Sequence, residues 1–115
     1  MPSPPLAPDD GPLDIEHLRR MTLGDASLER EVLAMFSAQA VRLIATLATL
    51  PEDADALAHT LKGSARAIGA FGVADAAQAL EAVIASGADP DQALTELHEA
   101  IADARIAVDT ILRRS

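Results

Sequence analysis

The chain has 115 residues, a formal net charge of -9 and a pI near 4.5. This length fits one compact domain and is too short for a core together with a separate nucleotide-binding module. Because so acidic a chain lacks a basic footprint, neither nucleic acid nor an anionic membrane is expected as a partner.

The composition favours helices. Half of the residues are apolar, Trp and Tyr are absent, and Phe36 and Phe71 are the only residues of the Phe, Tyr and Trp group. Together with abundant alanine, this balance predicts an all-α fold. The absence of cysteine excludes disulfides and cysteine metal sites. No segment has the roughly 20 apolar residues of a membrane span and the start lacks a signal-peptide pattern, so a soluble, cytoplasmic chain is expected.

The first residues differ from the rest of the sequence. Residues 1–12 contain five prolines, a composition that neither starts a helix nor buries apolar surface. We predict a disordered Pro-rich tail over residues 1–12 and a single domain over residues 13–115. Directly after the tail, Asp14 is placed to cap a short helix, which the turn Leu23-Gly24-Asp25 ends. We expect this first helix to cover the rest of the domain as a cap.

Apolar residues at helical spacing predict four longer helices. They are expected at about 27–50, 52–70 and 73–86, and from Asp89-Pro90 onward. The stripe of the second helix is Leu28, Val32, Met35, Phe36, Ala40, Leu43, Leu47 and Leu50, and that of the third is Leu57, Leu61, Ala65 and Ile68. We expect the leucine and methionine positions in the core.

Short connections join these helices. An antiparallel up-down four-helix bundle, capped by the short first helix, buries the stripes most simply. Because all four stripes are then satisfied within one chain, we expect a monomer.

One histidine lies away from the stripe of the third helix. At about 100° per residue the four stripe positions fall within roughly 80° of one another, and His59 falls nearly opposite them. Its neighbours on that face are Asp55, Lys62, Gly63 and Arg66. An exposed imidazole beside two cations suits a phosphoryl acceptor, because a neutral ring nitrogen can attack while the cations stabilise the anion.

Gly63 is the unusual residue on this face. A glycine inside a helix costs about 1 kcal/mol relative to alanine, and no turn is needed there. Its missing side chain, one turn after His59, leaves space for another surface to reach the imidazole. A close helix crossing is the other explanation.

The segment His59-Thr60-Leu61-Lys62-Gly63-Ser64-Ala65, followed by Ile68-Gly69-Ala70 and Leu80-Glu81, resembles the signature of histidine phosphotransfer (HPt) domains of two-component phosphorelays. The resemblance extends from the first helix to the end of the chain. It implies a carrier that is not itself an enzyme. It also implies that the phosphoaspartate of a receiver domain phosphorylates the outer nitrogen of His59 and that His59 passes the phosphoryl group to another receiver. By the same resemblance Lys62 steadies the phosphoryl group and Gly63 permits close approach.

The resemblance also bears on cofactors and partners. Mg²⁺ and the catalytic carboxylates belong to the receiver, so the chain needs no cofactor or metal of its own. In some members a Gln or similar residue on the next helix orients the histidine, and Glu81 corresponds to that position. Arg66 and Ser64 are further supporting candidates. An apolar patch around the histidine, with Ala56, Ala67 and parts of the first two helices as candidates, would hold receiver domains of response regulators and hybrid histidine kinases.

Two other functions compete with this hypothesis. The phosphoacceptor portion of a histidine kinase typically has an acidic residue after its histidine, whereas Thr60 stands here, and no glycine-rich ATP-binding region follows. A helical adaptor that binds a partner without phosphoryl transfer is the second alternative. His17 and His98 lack the Lys-Gly context, and we interpret both as surface residues. No His-x-x-x-His or Glu-x-x-His pair suggests a metal site.

Overall fold

The structure, a computed structural model, describes residues 11–114. Within this range it contains five helices and no strand, which confirms the all-α class. The helices are α1 (Ile15–Met21), α2 (Ala26–Leu47), α3 (Ala54–Ile68), α4 (Phe71–Ser86) and α5 (Asp91–Arg114). Of the predicted tail over residues 1–12, all but Gly11 and Pro12 lie outside the described residues.

Two aspartates start the first two helices. Asp14 Oδ1 accepts a hydrogen bond from the backbone N–H of His17 at 3.1 Å, and Asp25 Oδ1 accepts one from Leu28 at 3.0 Å. Each satisfies an N–H group that has no partner within its own helix. The predicted cap of α1 is therefore present, and α2 starts within one residue of its predicted start.

The end of α2 differs from the prediction. The helix stops at Leu47, and a tight turn follows in which Leu50 N–H donates to Leu47 O at 2.9 Å. Leu50 adopts a φ of 50°, in the left-handed region. The proline ring of Pro51 disfavours helical backbone at the preceding residue, so the helix unwinds before the proline.

Gly69 forms the junction of α3 and α4. It ends α3 with a φ of 88°, and Ala70 N–H donates to Ala65 O at 2.8 Å, as in a Schellman cap. The chain entering α1 crosses here, where Asp14 N–H donates to Gly69 O at 2.9 Å. A Cβ atom on Gly69 would lie 2.8 Å from Asp14 O, so this crossing requires glycine.

The helices bury one shared core. α2 packs against α3 and α5, α4 packs against the same two helices, and α1 packs on α3. The largest fully buried side chains are Leu18, Leu33, Leu47, Leu61, Leu80, Leu97, Val73 and Val108. Burial of each stabilises the fold by roughly 1.5–3 kcal/mol. None of the described helices is both long and apolar enough to cross a membrane.

The buried faces of α2 and α3 differ from the predicted stripes. Leu28, Met35 and Leu50 are exposed, so the expectation that every leucine and methionine position lies in the core is wrong for them, for Met21 and for Leu23. Leu28 and Met35 lie at the edge of the predicted stripe of α2, and Leu50 lies beyond the end of the helix. In α3, Ala58 is fully buried while Leu57 is only partly buried.

Candidate functional site

His59 lies on the exposed side of the seam between α3 and α4. Neighbouring Ala58 and Leu61 point into the core, so His59 points away from it. Its side chain is 66% exposed, and Nδ1 lies 3.2 Å from Oε2 of Glu81 on α4. The preceding residue of α4, Leu80, is fully buried and sets the orientation of that helix.

The contact with Glu81 determines which ring nitrogen is available. An ionised carboxylate only accepts hydrogen bonds, so in this contact Nδ1 carries the proton and donates it to Glu81. In the neutral ring the other nitrogen, Nε2, then holds a lone pair. Within residues 11–114 the ring makes its hydrogen bond through Nδ1 alone, so Nε2 is the available nucleophile.

Lys62, the only lysine of the sequence, contacts the same carboxylate. Its Nζ lies 3.2 Å from Glu81 Oε1, and its side chain is only 16% exposed. Oε1 is shielded from solvent and has no hydrogen-bond donor aligned with it in the described part of the chain. Lys62 and Glu81 therefore attract each other by charge, without the alignment that a hydrogen bond requires. One carboxylate thus bridges the histidine and the lysine.

Arg66 and Ser64 do not join this group. Arg66 Nη2 donates to Gln78 Oε1 on α4 at 2.9 Å, farther along the same seam. Ser64 is half-buried and faces a groove between α2 and α3. Of the supporting candidates, the structure places Glu81 alone in contact with His59.

Gly63 lies on open surface. A Cβ atom built on it would meet nothing within 4 Å, whereas one on Gly69 would collide with backbone. A close crossing by another described helix therefore does not explain the glycine. The space beside His59 is available to a partner.

A shallow apolar groove between α2 and α3 lies on the other side of α3 from Glu81. Its lining includes Val32, Met35, Phe36, Arg42, Ser64 and Ala67. Met35 is 71% exposed at its rim. The sequence pattern did not single out Met35 for function, because an apolar residue at helical spacing also fits a core position.

His17 is partly exposed at the surface, and its ring also makes contacts within the domain. Its Nε2 lies 3.2 Å from Ala67 O, and its ring meets Phe71 edge-on with centroids 5.2 Å apart. These contacts fix α1 against the end of α3. His98 is exposed, as expected.

The fold and the site together define a class of protein. It is an all-helical domain with an exposed histidine between two packed helices. The model of the Hpt domain family matches residues 31–107, which is more than half of the chain. The chain therefore belongs to the Hpt domain family, and the resemblance seen in the sequence is confirmed. Membership places its function within histidine phosphotransfer, with receiver domains of phosphorelays as the class of partner.

A solved structure supports the same assignment. The X-ray structure of a rice protein described as a histidine-containing phosphotransfer protein matches with a TM-score of 0.78 at 26% sequence identity. The match covers 90% of this chain and 81% of the rice chain. No curated protein matches the sequence.

Proposed function

We propose that His59 accepts a phosphoryl group from the phosphoaspartate of one receiver domain and passes it to the aspartate of another. The observation that carries this proposal is the exposed imidazole whose Nδ1 is held by Glu81, with Nε2 directed away from that contact. In the transfer, the Nε2 lone pair forms a bond to phosphorus. The bond between phosphorus and the aspartate oxygen breaks, and its electron pair returns to the carboxylate.

Lys62 and Gly63 support the transfer in different ways. The Lys62 ammonium has a charge contact to Glu81 but no aligned hydrogen bond, so it can turn toward a phosphoryl group on His59 without breaking one. Its positive charge stabilises the phosphoryl oxygens. Gly63 leaves the approach open. The chain acts as a carrier, and Mg²⁺ and the catalytic carboxylates come from the receiver.

The groove between α2 and α3 is the proposed docking surface. Exposed Met35 and Ala67 offer apolar area beside the helix that carries His59. The partners would be receiver domains of response regulators and of hybrid histidine kinases.

The proposed state of the chain is a cytoplasmic monomer. Arg30 Nη1 donates to Leu112 O at 3.0 Å, and Arg105 Nε donates to Ser37 Oγ at 3.1 Å. These pairs align α2 antiparallel to α5, as an up-down four-helix bundle capped by α1 requires. A bundle closed in this way leaves no helix in need of a second copy.

The test is a labelling experiment with the purified chain. We expect transfer of radioactive phosphate from a phosphorylated receiver in the presence of Mg²⁺, giving an acid-labile label, and no label from ATP alone. The substitution His59→Gln should abolish labelling. The matched control His98→Gln, at an exposed histidine of α5, should label like the wild type.

Two outcomes would contradict the proposal. Autophosphorylation of the chain by ATP would indicate a kinase fragment. Receiver binding that persists without any label on wild-type His59 would indicate the adaptor function instead.

A further inference from the structure

The residue that holds His59 is a carboxylate, although an amide would orient the ring equally well. Glu81 differs from a glutamine in two respects: it carries a negative charge, and it can accept hydrogen bonds but not donate them. We infer that Glu81 keeps the Nδ1 proton on the ring while Nε2 carries the phosphoryl group, and so holds phospho-His59 in its more reactive donor form. This inference rests on the function proposed above.

The proton balance of phosphorylation explains the role. His59 starts as a neutral ring with its proton on Nδ1, hydrogen-bonded to Glu81 Oε2. Nε2 uses its lone pair for the bond to phosphorus, so the phosphorylated ring is formally cationic while the Nδ1 proton remains. Loss of that proton would leave a nitrogen lone pair facing a carboxylate oxygen at a separation of 3.2 Å. Two acceptors without a proton between them repel each other, so Glu81 opposes deprotonation.

The same proton matters when the phosphoryl group leaves. As the aspartate oxygen of the receiver bonds to phosphorus, the N–P bond breaks and its electron pair returns to Nε2. A ring that still carries the Nδ1 proton departs as neutral imidazole. A deprotonated ring would have to depart as an imidazolate anion, which is a much poorer leaving group. Retention of the proton therefore favours onward transfer.

A glutamine at position 81 would not enforce this state. Its amide oxygen accepts from a protonated Nδ1, and after a flip its NH₂ group donates to a deprotonated one. The amide thus satisfies both forms of the phosphorylated ring, including the less reactive one.

Other charges around His59 do not replace Glu81. On α3 itself, Lys62 is a cation that opposes ring protonation, and the Asp55 carboxylate already accepts from the Ala56 backbone N–H at 2.9 Å. From the other packed elements, Arg42 of α2 lies in the groove with Ser64, and His17 of α1 contacts Ala67 O. Glu81 is the carboxylate that touches the ring.

The substitution Glu81→Gln tests the inference. The chain, labelled with ¹⁵N-histidine, is phosphorylated chemically with phosphoramidate, so that the measurement does not depend on any receiver. The Nδ1 resonance of phospho-His59, assigned by its loss in His59→Gln, is followed against pH. We expect the pH of half-protonation in the wild type to exceed that in Glu81→Gln by about one unit, as for a ring beside an opposite charge. At about pH 8, above the ordinary range of histidine, transfer from Glu81→Gln to a receiver should be roughly 5- to 10-fold slower.

A matched control and a second variant complete the experiment. Glu96→Gln, on α5, changes a carboxylate whose hydrogen bond is to Gln92 of the same helix, and it should leave both measurements unchanged. Lys62→Met removes the cation and retains the carboxylate, so it should not lower the half-protonation pH. Equal half-protonation pH in wild type and Glu81→Gln would overturn the inference even if transfer slowed, because Glu81 would then only orient the ring. A lower value in Lys62→Met would overturn it as well. If phosphoramidate labels His59 but no receiver does, the proposed relay fails while the proton measurement still stands on its own.

Discussion

Gly63 combines a cost to the helix with open space beside the reactive residue. A glycine inside a helix is about 1 kcal/mol less favourable than an alanine, and a Cβ atom here would contact nothing within 4 Å. Since neither packing nor backbone conformation requires glycine at this position, its value is expected to lie in contact with a partner.

Substitution at Gly63 should therefore separate stability from transfer. Gly63→Ala should raise the free energy of unfolding by about 0.5–1 kcal/mol, measured by urea denaturation. Gly63→Gln should leave the chain folded but slow phosphoryl transfer from a receiver about 10-fold or more, because the longer side chain occupies the approach to His59.

Gly72 provides the control for this prediction. It lies in α4, and a Cβ atom there also meets nothing within 4 Å. Gly72→Gln should transfer at the wild-type rate. A normal rate in Gly63→Gln would show that access does not explain the glycine.

The sequence predicted the local part of the site better than the contacts across helices. The placement of His59, Lys62 and Gly63 along one face follows from helix geometry, since all three lie on α3. The contact of Glu81 with His59 depends on how α4 is rotated against α3, which core packing decides and a single helical wheel cannot. For the same reason the sequence did not predict that Lys62 is largely covered or that Arg66 binds Gln78.

At the scale of elements, two glycines with similar backbone conformations allow a matched comparison. Gly69 and Gly87 end α3 and α4 with φ values of 88° and 76°. A Cβ atom on Gly87 would meet nothing within 4 Å, whereas one on Gly69 would lie 2.8 Å from Asp14 O. The two sites share the cost of left-handed backbone and differ in the clash with the segment that enters α1.

We expect Gly87→Ala to lower the free energy of unfolding by about 1 kcal/mol, the cost of a left-handed conformation for a residue with a Cβ atom. Gly69→Ala should lower it by about 2–3 kcal/mol, because backbone atoms must also move apart. Urea denaturation measures both changes. Hydrogen exchange at Asp14 N–H should accelerate in Gly69→Ala alone. An equal loss of unfolding free energy in the two variants would contradict the prediction, because the segment that enters α1 would then move away from Gly69 without an energetic cost.

Helix positions were predicted more accurately than the rotation of each helix. Turn and capping residues such as Asp14, Gly69 and Gly87 mark the ends of elements directly. The buried face of α3 runs through Ala54, Ala58 and Leu61, which places it nearer Ala58 than Leu57. Alanine is small and weakly apolar, so a pattern that weights leucine most heavily misplaces a face packed through alanines.

At the scale of the whole molecule, exposed large apolar side chains occur on several elements of the described chain, and Met35 and Ile106 are two of them. Met35 of α2 lies at the rim of the groove next to α3, which carries His59. Ile106 lies on α5, which packs mainly against α4 and α2. Scattered exposed apolar residues are normal, so location beside the reactive helix, rather than exposure, distinguishes Met35.

This pair of residues tests where a receiver docks. Their exposed fractions are similar, 71% for Met35 and 66% for Ile106, so truncation to alanine removes comparable surface and should hardly change folding. Met35→Ala should weaken receiver binding about 5- to 30-fold, measured by calorimetry, because an apolar contact at the centre of an interface contributes about 1–2 kcal/mol. Ile106→Ala should bind like the wild type. If instead Ile106→Ala weakens binding and Met35→Ala does not, the receiver approaches the face of α5, and Nε2 of His59 would lie outside the interface that the transfer reaction requires.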